Sequence, residues 1–455
     1  MAIALDSGYP EDAHPGTFAG QQRLTAFGRR RGPLTERLFP FIGPHAQMPT
    51  AIAREATADR LAGSEHRAAA ANNAPAQAAD DSKFDARLVK ESFAPVAASA
   101  DAAMEHFYAR LFVHYPEMRS MFPHAMREHM ERVFAALARI VWAIDSPDSI
   151  AVYLAQLGRG HRKFGVKDRH YEPFLAVLVD TVRHFNGHYW TAETQAAWDT
   201  ALRRAAKVML AAAADDAARQ PPWWIGEVAE HDRRGPDLAV LTIRPDQPLR
   251  YTPGQYLAVQ VPRWPRVWRN FSIANAPREN GLIDLHVRAV PGGLVSGSLV
   301  HNTRAGDTVL LGQAQGEMTL PAGRDADLLC IAGGTGLAPL KAIIEGVICA
   351  SGPDRHRKIS LLFGARAEEG LYDLPELRVL ESIYPALTVI PVVSHQPGFA
   401  GAKGMLPDVT AKSATCEDRE IFISGPDDMV RETARLLAGR VGPGRIRHDP
   451  PDAPR

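Results

Sequence analysis

The spacing of apolar residues changes twice along this 455-residue chain, and each change marks a fold that the neighbouring stretch cannot share. Over residues 81–218 the spacing is three and four, as in helices with one buried face. Met104, Phe107, Tyr108, Leu111, Phe112 and Tyr115 form one such face, which Pro116 ends. Val133, Phe134, Leu137, Ile140, Val141 and Ile144 form a second, closed by Asp145-Ser146-Pro147. A third carries Ile150, Tyr153, Leu154 and Leu157, with His161 on the same face. A fourth runs through Phe174, Leu178, Val182 and Phe185 to Asn186-Gly187, and Thr191 is placed to cap a last long helix. This stretch is predicted to be a compact all-α domain. Pro221-Pro222 ends the helical regime. Over residues 223–323 the period is two, as in Leu257, Val259 and Val261, with turns at Tyr251–Gly254 and Pro291–Gly293, which predicts a small antiparallel β-barrel. From 324 to 449, strand-like segments at 327–332, 359–363, 387–393 and 421–424 alternate with helical ones, which predicts an α/β domain built on a doubly wound parallel sheet.

Residues 1–80 show no such period. Residues 51–80 contain 13 alanines and few large side chains, too little apolar surface to offset the entropy of ordering, so a disordered extension is expected. Arg29-Arg30-Arg31 reads as a solvated charge run, no apolar segment suggests a secretory signal, and early Asp6, Glu11 and Asp12 argue against an organellar transit peptide. Lysine plus arginine equals aspartate plus glutamate at 52 each, so nothing in the charge balance points to nucleic acid. No apolar run is long enough for a transmembrane helix. Three scattered cysteines, Cys330, Cys349 and Cys416, can form neither a disulfide framework nor the four-thiolate site of an iron–sulfur cluster. A cytoplasmic location is expected.

The most specific local pattern is Leu328–Lys341, in which a buried strand runs into Gly333, Gly334, Thr335 and Gly336 and then a helix. Glycines let the backbone approach a pyrophosphate, and the helix start offers unpaired N–H groups; with no Gly-Lys-Ser/Thr following, it is not a P-loop. Arg269-Asn270-Phe271-Ser272 lies in an expected barrel strand, and Gly292-Gly293-Leu294-Val295-Ser296 forms a second glycine turn at a helix start. An arginine for phosphate, an aromatic and a hydroxyl beside a flat ring, and a phosphate-cradling turn make a coherent flavin site.

Residues 223–449 resemble the ferredoxin-NADP reductase superfamily. Arg269–Ser272 resembles its flavin motif, with Phe271 where tyrosine is usual. Gly292–Ser296 resembles its flavin-phosphate loop, Gly333–Gly336 its nicotinamide loop, and Ser424-Gly425-Pro426 its Cys-Gly-Pro segment. The resemblance implies FAD and NAD(P)H, with Ser272 at the reactive edge of the flavin and Arg269 and Ser296 as phosphate partners. NADH is favoured over NADPH, Arg366 being the residue that could touch a 2′-phosphate. Residues 82–218 resemble the globin half of flavohaemoglobins: His106–Phe112 matches the distal helix and Gly160–Phe164 the proximal segment. That resemblance implies haem b, with His161 as iron ligand, Tyr171 beside it, Tyr108 over the iron and Phe122 against the haem face. His129 stands about where a distal glutamine is common. The glutamate expected to support the proximal pair is missing near Ala213, with Asp215 and Asp216 close by.

The whole then implies a flavohaem oxidoreductase that acts as a nitric oxide dioxygenase, turning NO and O₂ into nitrate. Two alternatives remain open at this point. One is an NAD(P)H-dependent haem or flavin reductase acting on O₂, peroxide or another acceptor, and the other is a haem-based gas sensor, against which the complete reductase argues.

Overall fold

The computed structural model describes residues 84–449 apart from 322–324, 352–356, 414–415, 417 and 443. The amino-terminal 80 residues, including Arg29–Arg31, lie outside that range.

Among the described residues, six α-helices make the first part: α1 (Ala86–Ala98), α2 (Ala100–His114), α3 (Arg127–Trp142), α4 (Pro147–Arg162), α5 (Tyr171–Asn186) and α6 (Ala192–Ala217). The Asp85 carboxylate starts α1 by accepting from the Arg87 N–H at 2.9 Å, and the Thr191 hydroxyl starts α6 by accepting from Thr194 N–H at 3.1 Å. Each cap pairs an amide that the first helical turn leaves without a partner. Their apolar faces form two clusters rather than one. The larger joins α1, α2, α3, α5 and α6 around Phe93, Phe107, Leu111 and Trp198, all fully buried. Trp198 keeps its indole N–H paired by donating to Ser92 Oγ at 2.8 Å. The smaller cluster seats Ile150 and Leu154 of α4 on Ala205 and Met209 of α6. There the helices cross so closely that a Cβ on Gly158 would lie 2.2 Å from the Met209 carbonyl oxygen.

The second part is an antiparallel sheet of β1 (Trp224–Arg233), β2 (Leu238–Pro245), β3 (Tyr256–Gln260), β4 (Arg269–Ser272), β5 (Ile283–Arg288) and β6 (Thr308–Gln315), with helix α7 (Leu294–His301) after β5. The order is β4-β3-β6-β1-β2-β5, and an antiparallel bridge between Ile273 and Leu285 joins the two edges into a barrel. Inward residues such as Leu241, Ile243, Leu257 and Val259 fill it, as a period of two requires.

In the third part β7 (Leu328–Gly333), α8 (Leu337–Ala350), β8 (Ile359–Ala365), α9 (Leu374–Ile383), β9 (Leu387–Val393), β10 (Ala402–Lys403), α10 (Leu406–Ser413), β11 (Glu420–Ser424), α11 (Asp427–Leu437) and β12 (Ile446–Arg447) form a parallel sheet in the order β10-β9-β8-β7-β11-β12. The chain steps outward from β7 to β8 and β9, then returns to the other side of β7 with β11. That reversal opens a crevice at the carboxyl ends of β7 and β11, where open α/β sheets bind ligands.

The barrel and the parallel sheet are joined by a buried charged network. Arg234, just after β1, pairs with Glu376 at 2.7 Å. Lys341 of α8 pairs with Asp373 at 2.7 Å, His286 Nδ1 lies 2.8 Å from Tyr372 Oη, and Arg278 pairs with Asp284 at 2.8 Å. Glu345 of α8 accepts from the Ala276 N–H at 3.1 Å, while its other oxygen is buried with no hydrogen-bond partner. Burial pushes the Glu345 carboxyl up to about 7 despite Lys341 and Arg278 nearby.

Two tests follow from this packing. Gly158→Ala forces a methyl into the α4–α6 crossing and should cost about 1–3 kcal/mol in denaturant unfolding of the full chain. A carboxyl whose folded pKa lies above its unfolded value of about 4.3 favours the folded state most at low pH, and that contribution is lost as pH rises through the folded value. Stability should therefore fall between about pH 4.5 and 7 in the native protein, and Glu345→Gln should flatten that fall. An equally steep pH profile in the variant would show that Glu345 does not carry it.

Candidate functional site

Helix α4 ends with His161 in its last turn, and the chain returns as α5 with Tyr171 as its first residue. This brings the Tyr171 hydroxyl to 3.5 Å from His161 Nδ1, at the outer limit of a hydrogen bond, and leaves Nε2 as the nitrogen turned elsewhere. Burial holds the His161 imidazole down at about 4, with Lys163 adding to the effect, so the ring is neutral at physiological pH, as a metal ligand must be. Tyr171 is pushed up to about 12 by burial and then by Asp168, and stays a neutral phenol.

Tyr108 on α2, Phe122 after α2 and His129 on α3 meet as one aromatic group. Their ring centroids lie 5.5 Å apart for Tyr108–Phe122, 5.7 Å for Tyr108–His129 and 5.3 Å for Phe122–His129. The Tyr108 hydroxyl and His129 Nε2 are both buried and neither has a hydrogen-bond partner. Burial raises the Tyr108 phenol far out of reach of neutral pH. His129 is lowered to about 4 by burial first and then by the charge of Arg132. Two buried polar groups that lack a hydrogen-bond partner are costly on their own and suit a polar ligand beside α2 and α3.

The two acids near the expected position of the proximal glutamate have other roles. Asp216 of α6 is buried and forms an ion pair with Arg162, while Gln220 donates to its second oxygen at 2.6 Å. Asp215 pairs with exposed Arg219. Neither carboxylate supports the His161–Tyr171 pair.

On the barrel, Arg269, Asn270, Phe271 and Ser272 occupy β4, whose register sets Ser272 opposite Tyr256. The Arg269 guanidinium is turned to Glu128 of α3 at 2.8 Å. Gly292 has a φ of +74°, a turn that favours glycine, and leads through Gly293 into α7. A Cβ on Gly293 would lie 2.4 Å from Ser296 Oγ, and Val295 is buried beneath the turn. In the parallel sheet the loops after β7 and β11 touch. A Cβ on Gly336 would lie 2.3 Å from the Ser424 carbonyl oxygen, and one on Gly425 would lie 3.0 Å from Gly333 Cα. Gly334 (φ +56°) and Thr335 complete the first loop, and Pro426 precedes α11. The glycine cradle, the amide-rich start of α8 and the switch in strand order coincide, which suits a pyrophosphate. Arg366 is exposed at the end of β8.

Sequence reasoning passed over Lys163, Arg266 and Trp268, which join the helical part to the barrel. Nothing local marks them, because the Arg266–Phe164 hydrogen bond joins residues 102 positions apart.

Comparison with known proteins agrees with this layout. Residues 105–209 match the Globin family, 227–319 the oxidoreductase FAD-binding domain and 330–435 the oxidoreductase NAD-binding domain. The flavohemoprotein of Bordetella pertussis is 26% identical over 312 residues, 64% of this chain and 76% of that protein. The xylene/toluene monooxygenase electron transfer component of Pseudomonas putida is 32% identical over 222 residues, 48% of this chain, which spans only 62% of that relative. The crystal structure of flavohemoglobin from Malassezia yamatoensis with bound FAD and heme shares the fold, with a TM-score of 0.64 at 16% identity, covering 79% of this chain and 97% of that one. A globin continuous with these two domains defines an NAD(P)H-dependent flavin oxidoreductase with a haem domain attached. In its matched domains and their order the chain is similar to flavohaemoglobins. Its cofactors are haem b, FAD and NAD(P)H. The unpaired Tyr108 and His129 atoms and the two glycine loops fit these groups. Among the described residues no helix is long and apolar enough to cross a membrane.

Gly336→Ala should push the two nucleotide loops apart, with overpacking strain of about 1–3 kcal/mol. The expected result is a rise of about tenfold in the KM for NAD(P)H in a dye-reduction assay, with FAD retained. An unchanged KM would remove the loop from the nucleotide site.

Proposed function

We propose that this flavohaem oxidoreductase is a nitric oxide dioxygenase, each nitrate taking one NO, one O₂ and one electron. When bound, NAD(P)H, FAD and haem supply a hydride donor, a converter from electron pairs to single electrons, and an iron that binds diatomic gases. The observation that carries the reading is the pair of buried, unpartnered groups, Tyr108 Oη and His129 Nε2, beside a neutral His161 in a chain that brings its own reductase. His161 would hold the iron through Nε2, with Tyr171 steadying the ring from the Nδ1 side. Tyr108 stays protonated and its hydroxyl would be a hydrogen-bond donor on the gas-binding side, with His129 beside it and Phe122 placed to pack against the haem. Ser272 faces the reactive edge of the flavin, with Asn270 and Phe271 on the same strand. Arg269, Gly292, Gly293, Val295 and Ser296 hold its phosphates, which requires Arg269 to exchange Glu128 for phosphate. Gly333–Gly336 and Ser424–Pro426 seat the nicotinamide nucleotide.

A second reading has support from one observation. With Asp216 committed to Arg162 and Gln220, no carboxylate enriches His161, and an NAD(P)H-driven reductase acting on O₂, peroxide or another acceptor needs no such enrichment. NO consumption with NADH separates the two. The dioxygenase reading expects NO loss that requires O₂ and yields nitrate, lowered by about tenfold or more in Tyr108→Phe. NO loss without O₂, or NADH oxidation indifferent to NO, would sink it. His161→Ala should abolish the haem Soret band while flavin reduction by NADH continues.

A further inference from the structure

The turn that leads into β4 is fastened to the segment that follows His161. Lys163 Nζ lies 5.4 Å from the ring centroids of both Phe164 and Trp268, and the two rings meet edge to face at 6.5 Å and 82°. A cation over two aromatic faces in a partly desolvated site is an attractive arrangement. Arg266 adds a hydrogen bond from Nη1 to the Phe164 carbonyl at 3.1 Å. One residue beyond Trp268, Arg269 reaches Glu128 of α3.

Two features of this contact are costly for stability alone. Trp268 is only 8% exposed, yet its indole N–H is buried with no hydrogen-bond partner. Arg266 has a φ of +67°, a left-handed conformation that a side chain of its size seldom adopts, locked by its N–H donating to Gln260 Oε1 at 2.7 Å. Strain and unpaired donors collect where a geometry is needed for function.

We propose that Trp268, held by Lys163 and Phe164, is a positioning residue that fixes the separation between the flavin strand and the iron-ligand segment and so sets the rate of electron transfer between them. The proposal rests on the cofactor and His161 assignments made above. One residue, Arg162, separates Lys163 from His161, and one bond joins Trp268 to Arg269, so the contact ties both proposed redox sites with almost no slack. The hydride of NAD(P)H reduces the flavin by two electrons. Each ferric iron accepts one, so the flavin returns to its oxidised state after two single-electron transfers. The probability of such a transfer falls steeply with distance, whereas hydride entry from the nucleotide loops after β7 and β11 does not depend on this contact.

The test is anaerobic rapid mixing of the full-length holoenzyme with NADH, following the flavin and Soret bands separately. Trp268→Ala should leave flavin reduction unchanged and slow haem reduction by about tenfold or more, since small misplacements carry large rate penalties. Trp268→Phe should restore most of the rate, and Lys163→Met, which keeps the side-chain length and removes the cation, should slow haem reduction alone. Tryptic cleavage at exposed Arg219, between the helical part and the barrel, should be faster in Trp268→Ala. Haem reduction at the native rate in Trp268→Ala, equal slowing of both phases, or a Trp268→Phe variant no better than alanine overturns the proposal. If NADH fails to reduce haem in the unaltered protein, the reading beneath it fails. Cleavage at Arg219 then decides the contact, and an unchanged rate in Trp268→Ala rejects it.

Discussion

The close crossing of α4 on α6 is the contact on which the placement of His161 depends. Helix α4 is absent from the larger apolar cluster, and its buried residues rest on Ala205 and Met209 of α6. Gly158 lets the backbones approach to a distance at which any Cβ would strike the Met209 carbonyl. One turn further on, Arg162 meets buried Asp216 of the same partner helix and also donates to the Gln220 carbonyl at 2.8 Å. The apolar contact fixes the separation of the two helices, and the ion pair fixes how far α4 has slid along and rotated about its own axis. Between these two restraints lies His161, so its direction is set by α6 rather than by the larger cluster. That division of the core leaves Tyr108 and Phe122 in one cluster and Tyr171 in the other, with the histidine helix between.

The same crossing explains why the proximal acid is not where the sequence led us to look. Asp216 is close to the expected position, but a buried carboxylate needs a cation, and Arg162 supplies it. Its two oxygens are engaged by Arg162 and Gln220, and the Tyr171 hydroxyl is turned to His161 Nδ1 instead. The electronic character of His161 then depends on a long contact with a phenol whose proton stays in place, which makes it a weaker donor of electron density than a carboxylate-supported imidazole.

What was legible in the sequence was whatever is local. The three-and-four spacing gave the helical faces, and Met104, Phe107, Tyr108 and Leu111 are all buried. The change to a period of two gave the barrel strands, and the glycine run after an apolar strand gave the loop at the end of β7, because each depends on residues a few positions apart. Pairings between distant segments were not legible. Arg269 reads from its motif as a phosphate partner, yet it faces Glu128, 141 positions away, a choice that only the folded chain presents. The buried network of Arg234, Lys341, Glu345 and Asp373 was invisible for the same reason, since charged residues in sequence read as surface until their partners arrive.

That network and the Trp268 contact divide the labour of holding the barrel. On one side buried ion pairs bind it to the nucleotide sheet, with Asp373 only 1% exposed and Lys341 closed over it. Breaking one member would strand a charge in a low-dielectric interior, so this joint is stiff. On the other side the barrel meets the helices through a cation over two rings, one backbone hydrogen bond from a strained turn, and an ion pair to exposed Glu128. Those interactions are individually weaker than the buried ion pairs, so this joint is the one that a single substitution at Trp268 loosens most readily. A chain that must deliver hydride reliably and single electrons conditionally benefits from that asymmetry. The joint to the parallel sheet rests on several buried charges, and the joint to the helices rests on Trp268, Lys163, Arg266 and the Arg269–Glu128 pair.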